Sequence, residues 1–194
     1  KEPGIGASVA WHRDGTTHWD SPDFDEGTHG FNFMAQLYGC TSANGVWVVP
    51  GSHKERYVDI ADMVTRAGSE RIEEAIPMIC NPGDVVISNR QAVHGSFANT
   101  SSDWRITINQ GFHRRKSVLG VKGGGLHGKP AVYDAERIIE RSKIIKLAIE
   151  ARKQRFPDEQ AFEYKPLSAS TEDFTWNAAA RKSLHDYNLL DLSI

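Results

Sequence analysis

Between Phe31 and Tyr38 the chain alternates. Phe31, Phe33, Ala35 and Leu37 share one face, and Asn32, Met34, Gln36 and Tyr38 the other, the period-two pattern of a strand. Asn44-Gly45 reads as a turn into Val46–Val49, a short apolar run expected to be a fully buried strand, stopped by Pro50-Gly51. Shorter strands are expected at Gly4–Trp11, Pro77–Cys80 and Val85–Ser88, the last following the turn Asn81-Pro82-Gly83-Asp84. Val93–Phe97 and Trp104–Phe112 read as two strands joined by the polar turn Asn99–Asp103. With that turn centred between Asn99 and Thr100, His94 falls opposite Arg105, with Ser96, Thr107 and Asn109 on the same face.

Helical patterning lies elsewhere. Lys54–Ala75 is charged, with apolar Ile60, Met63, Val64 and Ile72, and predicts a helix-bearing excursion from the strands. After Phe112 the character changes. The basic cluster His113–Lys116 is followed by a glycine-rich loop at 120–128. Asp134 is placed to cap a helix running to about Arg155 and stopped before Pro157, with Ile138, Ile145 and Ile149 in its apolar stripe. A short helix is expected around Trp176–His185. The expected division is therefore a core at 1–116 and a C-terminal extension at 117–194, loop plus helices packed on that core.

Composition narrows the function classes. The chain has 194 residues, 39% hydrophobic, with a net charge of −2, an ordinary globular composition with no charge excess to recruit nucleic acid or an anionic membrane. No apolar run reaches membrane-spanning length and no signal-peptide pattern opens the chain, so a cytoplasmic protein is expected. Cys40 and Cys80 imply no disulfide framework. Oligomeric state is not legible.

The chemistry-bearing stretch is Trp11-His12-Arg13-Asp14-Gly15. On an extended segment His12 and Asp14 point the same way, setting an imidazole beside a carboxylate. With His94 they make the 2-His-1-carboxylate set of a non-haem iron site. A guanidinium at Arg105 opposite a metal ligand suits a dicarboxylate that chelates the metal at one end and needs a bidentate partner at the other. The co-substrate of that shape is 2-oxoglutarate. Two other residues could be mistaken for ligands. His53 belongs to a sharp corner after Pro50-Gly51, and Asp84 to a turn that its side chain would cap. The long segment 14–30 contains His18, Trp19 and His29; they either form the substrate mouth or serve loop packing and surface. The basic cluster at 113–116 either receives an anionic substrate group or is a solvated strand end.

Four pieces together resemble the phytanoyl-CoA dioxygenase family of Fe(II)- and 2-oxoglutarate-dependent oxygenases. They are Trp11-His12-Arg13-Asp14, Asn44–His53, Pro82-Gly83-Asp84-Val85-Val86, and His94-Gly95-Ser96 with Arg105, in that family's order over roughly residues 5–113. The resemblance implies a mainly β fold, a double-stranded β-helix (jelly roll, cupin-like) with peripheral helices and a C-terminal helical extension. Relatives carry strands before the metal motif, whereas here it follows Lys1-Glu2-Pro3 almost at once, so an incomplete N-terminus is expected. By position, His12, Asp14 and His94 would bind iron, and Arg105, helped by Ser96, the distal carboxylate of 2-oxoglutarate. Met34 falls near a co-substrate contact, which turns the even face of its strand inward and offers Gln36 as a further polar contact.

The activity so implied consumes O2 and 2-oxoglutarate, releases succinate and CO2, and hydroxylates an aliphatic carbon of a small organic or acyl substrate. A halogenase of the same family would carry a small residue in place of Asp14, leaving room for halide. A cupin-like metalloenzyme without 2-oxoglutarate would have no use for Arg105 and Ser96. A non-catalytic jelly-roll binding module would have no reason to gather all four residues on one inner face.

Overall fold

The computed structural model describes residues 1–14, 27–123 and 131–185. The chain divides into two compact units, Lys1–Ser117 and Val118–Ile194.

The first unit is built from seven strands: β1 (Val9–His12), β2 (Gly30–Gln36), β3 (Val46–Val48), β4 (Ile76–Pro77), β5 (Val85–Asn89), β6 (His94–Ser96) and β7 (Thr107–His113). They form two antiparallel sheets, ordered β1-β6-β3-β4 and β5-β2-β7. Apart from the step from β3 to β4, each strand lies in the other sheet from the one before it. This crossing from sheet to sheet is the winding of a jelly roll. It also corrects one expectation. β6 and β7 do not pair as a hairpin, so His94 is not opposite Arg105. Both edges of β6 are already occupied, by β1 and β3, and β7 pairs with β2 instead. The connecting turn is held by Asn99, whose Nδ2 donates to the Asp103 carbonyl at 2.7 Å and whose Oδ1 accepts from the Ser101 hydroxyl at 2.7 Å.

One face of the four-stranded sheet is packed against a core. Trp11, Gly95 and Trp47 face a core of Val49, Ile72, Ala75 and Val93. A Cβ on Gly95 would sit 3.2 Å from the Trp11 indole, so glycine is what lets the indole lie there. Helix α1 (Ile60–Ala67) completes this core with Ile60, Met63 and Val64. Asp59 caps its start by accepting from the Asp62 N–H, and Gly68 ends it at φ 61°. The expected excursion is thus a capped amphipathic helix. β3 itself is only partly buried, not fully as expected, because Val49, just past its end, is the residue that enters the core.

In the three-stranded sheet the even-numbered residues of β2 are buried, as expected: Asn32 is 2% exposed, Met34 7% and Gln36 5%, against 37% for Phe31. The outer face carries Phe31 stacked on Phe112 with ring centroids 5.0 Å apart, and exposed Val85, Ile87 and Ile108.

The second unit contains α3 (Ala135–Arg155) and α4 (Ala178–Ser183), with a small two-stranded sheet of β8 (Lys122–Gly123) and β9 (Ala131–Val132); α2 (Arg115–Val118) runs across the boundary. Asp134 caps α3 by accepting from the Arg137 N–H, and the helix stops at Arg155 before Pro157. Ile138 and Leu147 are its buried residues, and Val118 and Tyr133 join Ile138 in a small core. Among the described residues no helix is long and apolar enough to cross a membrane.

Candidate metal centre

β1 and β6 are antiparallel neighbours, and His12 is the direct partner of His94. The register slips between Val9 and His12. Such a bulge turns a side chain that strict alternation would have placed on the other face. The two imidazoles lie with ring centroids 4.3 Å apart. Each ring bonds through Nδ1 to the carbonyl two residues earlier, His12 to Ala10 at 2.7 Å and His94 to Ala92 at 2.9 Å. A carbonyl only accepts, so Nδ1 carries a proton, and in the neutral ring Nε2 is the nitrogen that keeps its lone pair. Both Nε2 atoms face Asp14, at 3.5 Å from Oδ1 for His12 and 3.8 Å from Oδ2 for His94. One ligand atom from each of the three lies within 4.8 Å of the others.

Local bonds hold Asp14 in this position. Its N–H donates to the Arg90 carbonyl at 3.0 Å, and Oδ2 accepts from Asn32 Nδ2 at 2.7 Å. Burial alone would raise its carboxyl, but hydrogen bonds from His12 and Asn32 and the charges of His94 and Arg90 outweigh it. The carboxyl is held well below the usual range. Burial pushes the His94 imidazole down, while the hydrogen bond to Asp14 lifts that of His12. Two imidazole nitrogens and one anionic oxygen are a donor set suited to a divalent iron.

Arg105 supplies the second feature. Its Nε and Nη1 are buried with no hydrogen-bond partner among the described residues, and burial lowers the guanidinium. Buried donors of a cation left unmatched are costly, and a carboxylate is the group whose geometry satisfies two of them at once. Ser96, 4% exposed, lies on β6 between Val9 and Val46. Met34 lies opposite Asn109, and Gln36 opposite Thr107, whose hydroxyl donates to Gln36 Oε1 at 2.7 Å. His18 and Trp19 fall outside the described residues.

The two rejected ligands sit apart from the cluster. His53 lies in the 3-10 turn Ser52–Lys54, after Gly51 at φ 81°. Arg13 pins that corner, donating to the Ser52 carbonyl at 2.6 Å and the Arg56 carbonyl at 3.2 Å. Asp84 caps its turn, accepting from the Asn81 N–H at 2.7 Å. His29 is buried, its Nδ1 bonded to the Ser117 hydroxyl at 2.8 Å, with Arg114 beside it. Two residues beside the cluster were not singled out from the sequence: Asn32, on the inward face of β2, and Arg90, just past the end of β5. Arg90 Nη1 donates to Asn32 Oδ1 at 3.0 Å.

A jelly roll carrying a half-buried His-Asp-His set, with an arginine whose buried Nε and Nη1 are unmatched, offers the residue types of a non-haem iron, 2-oxoglutarate-dependent oxygenase. The chain belongs to the phytanoyl-CoA dioxygenase family, whose model matches residues 1–107. It is 30% identical over 109 residues to "Phytanoyl-CoA dioxygenase 1" of Oryza sativa subsp. japonica, a match covering 52% of this chain and 37% of the relative. The chain thus spans little more than a third of that relative's length. Among solved structures it is similar to EvdMO1, with 31% identity and a TM-score of 0.47 over 59% of this chain and 25% of that one. It is also similar to AviO1 from Streptomyces viridochromogenes Tue57, with 29% identity and a TM-score of 0.44 over 59% and 47% of the two chains.

Proposed function

We propose that this chain carries the centre of an oxygenase that hydroxylates an aliphatic carbon of a small organic or acyl substrate. In this reading His12, Asp14 and His94 are the metal ligands. Arg105, with Ser96, takes the distal carboxylate of 2-oxoglutarate, and Met34 and Gln36 line the co-substrate. The observation that carries it is the pairing of one three-residue donor cluster with one arginine whose buried Nε and Nη1 lack partners.

When bound, Fe(II) with 2-oxoglutarate supplies the oxidising chemistry: O2, co-substrate and a C–H bond become succinate, CO2 and an alcohol. The protein's part is geometry and charge. His12, Asp14 and His94 would hold the metal with three protein ligands, leaving room at it for the co-substrate and O2. Asp14 supplies the negative charge and occupies the place a halide would need, which favours hydroxylation over halogenation. His12 and His94, each fixed in its tautomer by a backbone carbonyl, offer Nε2 without rotating. Arg105 would orient 2-oxoglutarate from its far end, so that the reacting end meets the ligands in one pose.

The first test is metal content. His12→Ala and His94→Ala should each lose Fe(II) almost entirely after anaerobic reconstitution, and His53→Ala should keep it. Equal loss in all three would sink the assignment. The unmutated protein with Fe(II) and 2-oxoglutarate, kept anaerobic, should show a weak visible charge-transfer band. Succinate release screened across acyl-CoA, amino-acid and phosphonate candidates then identifies the substrate class.

A further inference from the structure

We infer that Asn32 and Arg90 form a positioning relay that holds Asp14 ready to ligate through one oxygen. This rests on the reading of His12, Asp14 and His94 as metal ligands.

The Asn32 amide has one donating end and one accepting end. Its Nδ2 donates to Asp14 Oδ2 at 2.7 Å, and its Oδ1 accepts from Arg90 Nη1 at 3.0 Å. A guanidinium only donates, so Arg90 decides which end of the amide faces the carboxylate. Flipped, the amide would set its oxygen against an anion and its NH2 against a cation, losing both bonds. Asn32 is 2% exposed, so water does not readily replace either partner. With Oδ2 engaged by Asn32, Oδ1 is the oxygen left to face His12 Nε2.

The sequence around Arg90 is shaped for this role. Arg90 follows β5 directly, donating its N–H to the Gly30 carbonyl at 3.2 Å and accepting from the Asp14 N–H at 3.0 Å. Its side chain then crosses the sheet beside two glycines. A Cβ on Gly111, the partner of Asn32 across β2 and β7, would lie 2.5 Å from Nη1. A Cβ on Gly30 would lie 3.0 Å from Cδ. Arg90 therefore reaches Asp14 twice, through its own carbonyl and through Asn32.

The sign of the effect separates this relay from simple charge. A guanidinium repels a divalent cation, so if Arg90 acted only by its charge, removing it would tighten metal binding. If it acts through Asn32, removing it weakens binding. Metals depend on the groups that orient their ligands by about 10–100-fold in affinity.

The test uses Co(II) as probe, titrated into the full chain and followed by its visible d–d absorption. Asn32→Leu should raise the Co(II) Kd about 10–100-fold and alter the absorption, with the circular dichroism unchanged. Arg90→Met should raise the Kd in the Asn32 background and add nothing in the Asn32→Leu background, since a residue acting only through another loses its effect when that one is gone. Gly111→Ala, which displaces the guanidinium while leaving both relay residues in the chain, should move the Kd the same way as Arg90→Met. Tighter binding in Arg90→Met, or an unchanged Kd and spectrum in Asn32→Leu, would overturn the relay. His94→Ala is the control for the underlying reading. If it still binds Co(II) normally, the ligand assignment fails and the relay with it; if it loses Co(II) while Asn32→Leu does not, only the relay fails.

Discussion

At the scale of single residues, the closeness of His12 and Asp14 was legible because their spacing is local, whereas His94 reaches them through the pairing of β6 with β1. His12 and Asp14 lie two apart, and any extended backbone brings them to one side. Asn32 was placed on the inward face of its strand but not against Asp14, because that contact joins two segments that pair with different sheets. β2 buries Asn32 and Gln36 and leaves Phe31 37% exposed, the reverse of the usual hydrophobic-in rule. Arg105 has the clearest single-residue consequence. In the proposed reading, replacing it by Ala would remove charge-assisted hydrogen bonds to the co-substrate, worth about 1.5–3 kcal/mol net. At 1.4 kcal/mol per decade, the Michaelis constant for 2-oxoglutarate should rise roughly ten- to a hundredfold, with iron content little changed. Steady-state kinetics at varied 2-oxoglutarate measures this. An unchanged constant would pass the role to another cation. Arg13 is a poor substitute, since its guanidinium is bonded to the carbonyls of Ser52 and Arg56.

At the scale of elements, helices with local punctuation were read well and pairings across the chain were not. Asp134 caps the helix it was placed to cap, because a cap is decided by a few neighbouring residues; Asp59 and Gly68, which close the ends of α1, are the same kind of local signal. The pairing of β6 depends instead on β1 and β3, far away in sequence, which is why the expected hairpin with β7 does not form. α3 shows how much a cap can matter. It buries only Ile138 and Leu147 along 21 residues. Much of its surface is held by exposed ion pairs such as Lys153–Glu150 and Arg152–Glu159, which typically add less than about 1 kcal/mol each. With so little packing, the Asp134 cap is a large share of its support. Asp134→Ala should cost about 1 kcal/mol, and Asp134→Asn much less, since asparagine caps as well as aspartate. Denaturant titration followed by circular dichroism checks the order. Equal losses would mean that the charge of Asp134, rather than its hydrogen bond to the Arg137 N–H, supports the helix.

At the scale of the whole molecule, the candidate centre lies entirely within residues 1–117, one of two compact units. A ligand stabilises the unit it binds by RT ln(1 + [L]/Kd), about 2.7 kcal/mol at a hundred times Kd. Chains of more than one unit need not unfold in a single step. Calorimetry with Mn(II), a divalent ion that does not start turnover in this reading, should therefore raise the transition of the first unit. 2-Oxoglutarate should raise it again, but only with metal present, because in the proposed reading the metal would hold one end of the co-substrate and Arg105 the other. In Arg105→Ala the Mn(II) shift should persist and the 2-oxoglutarate shift should shrink. In His12→Ala both should vanish. If the trace resolves two transitions, only one should move; if it resolves one, the units unfold together and the whole transition should rise. A 2-oxoglutarate shift of equal size without metal would mean that the dicarboxylate binds somewhere other than the centre formed by His12, Asp14 and His94.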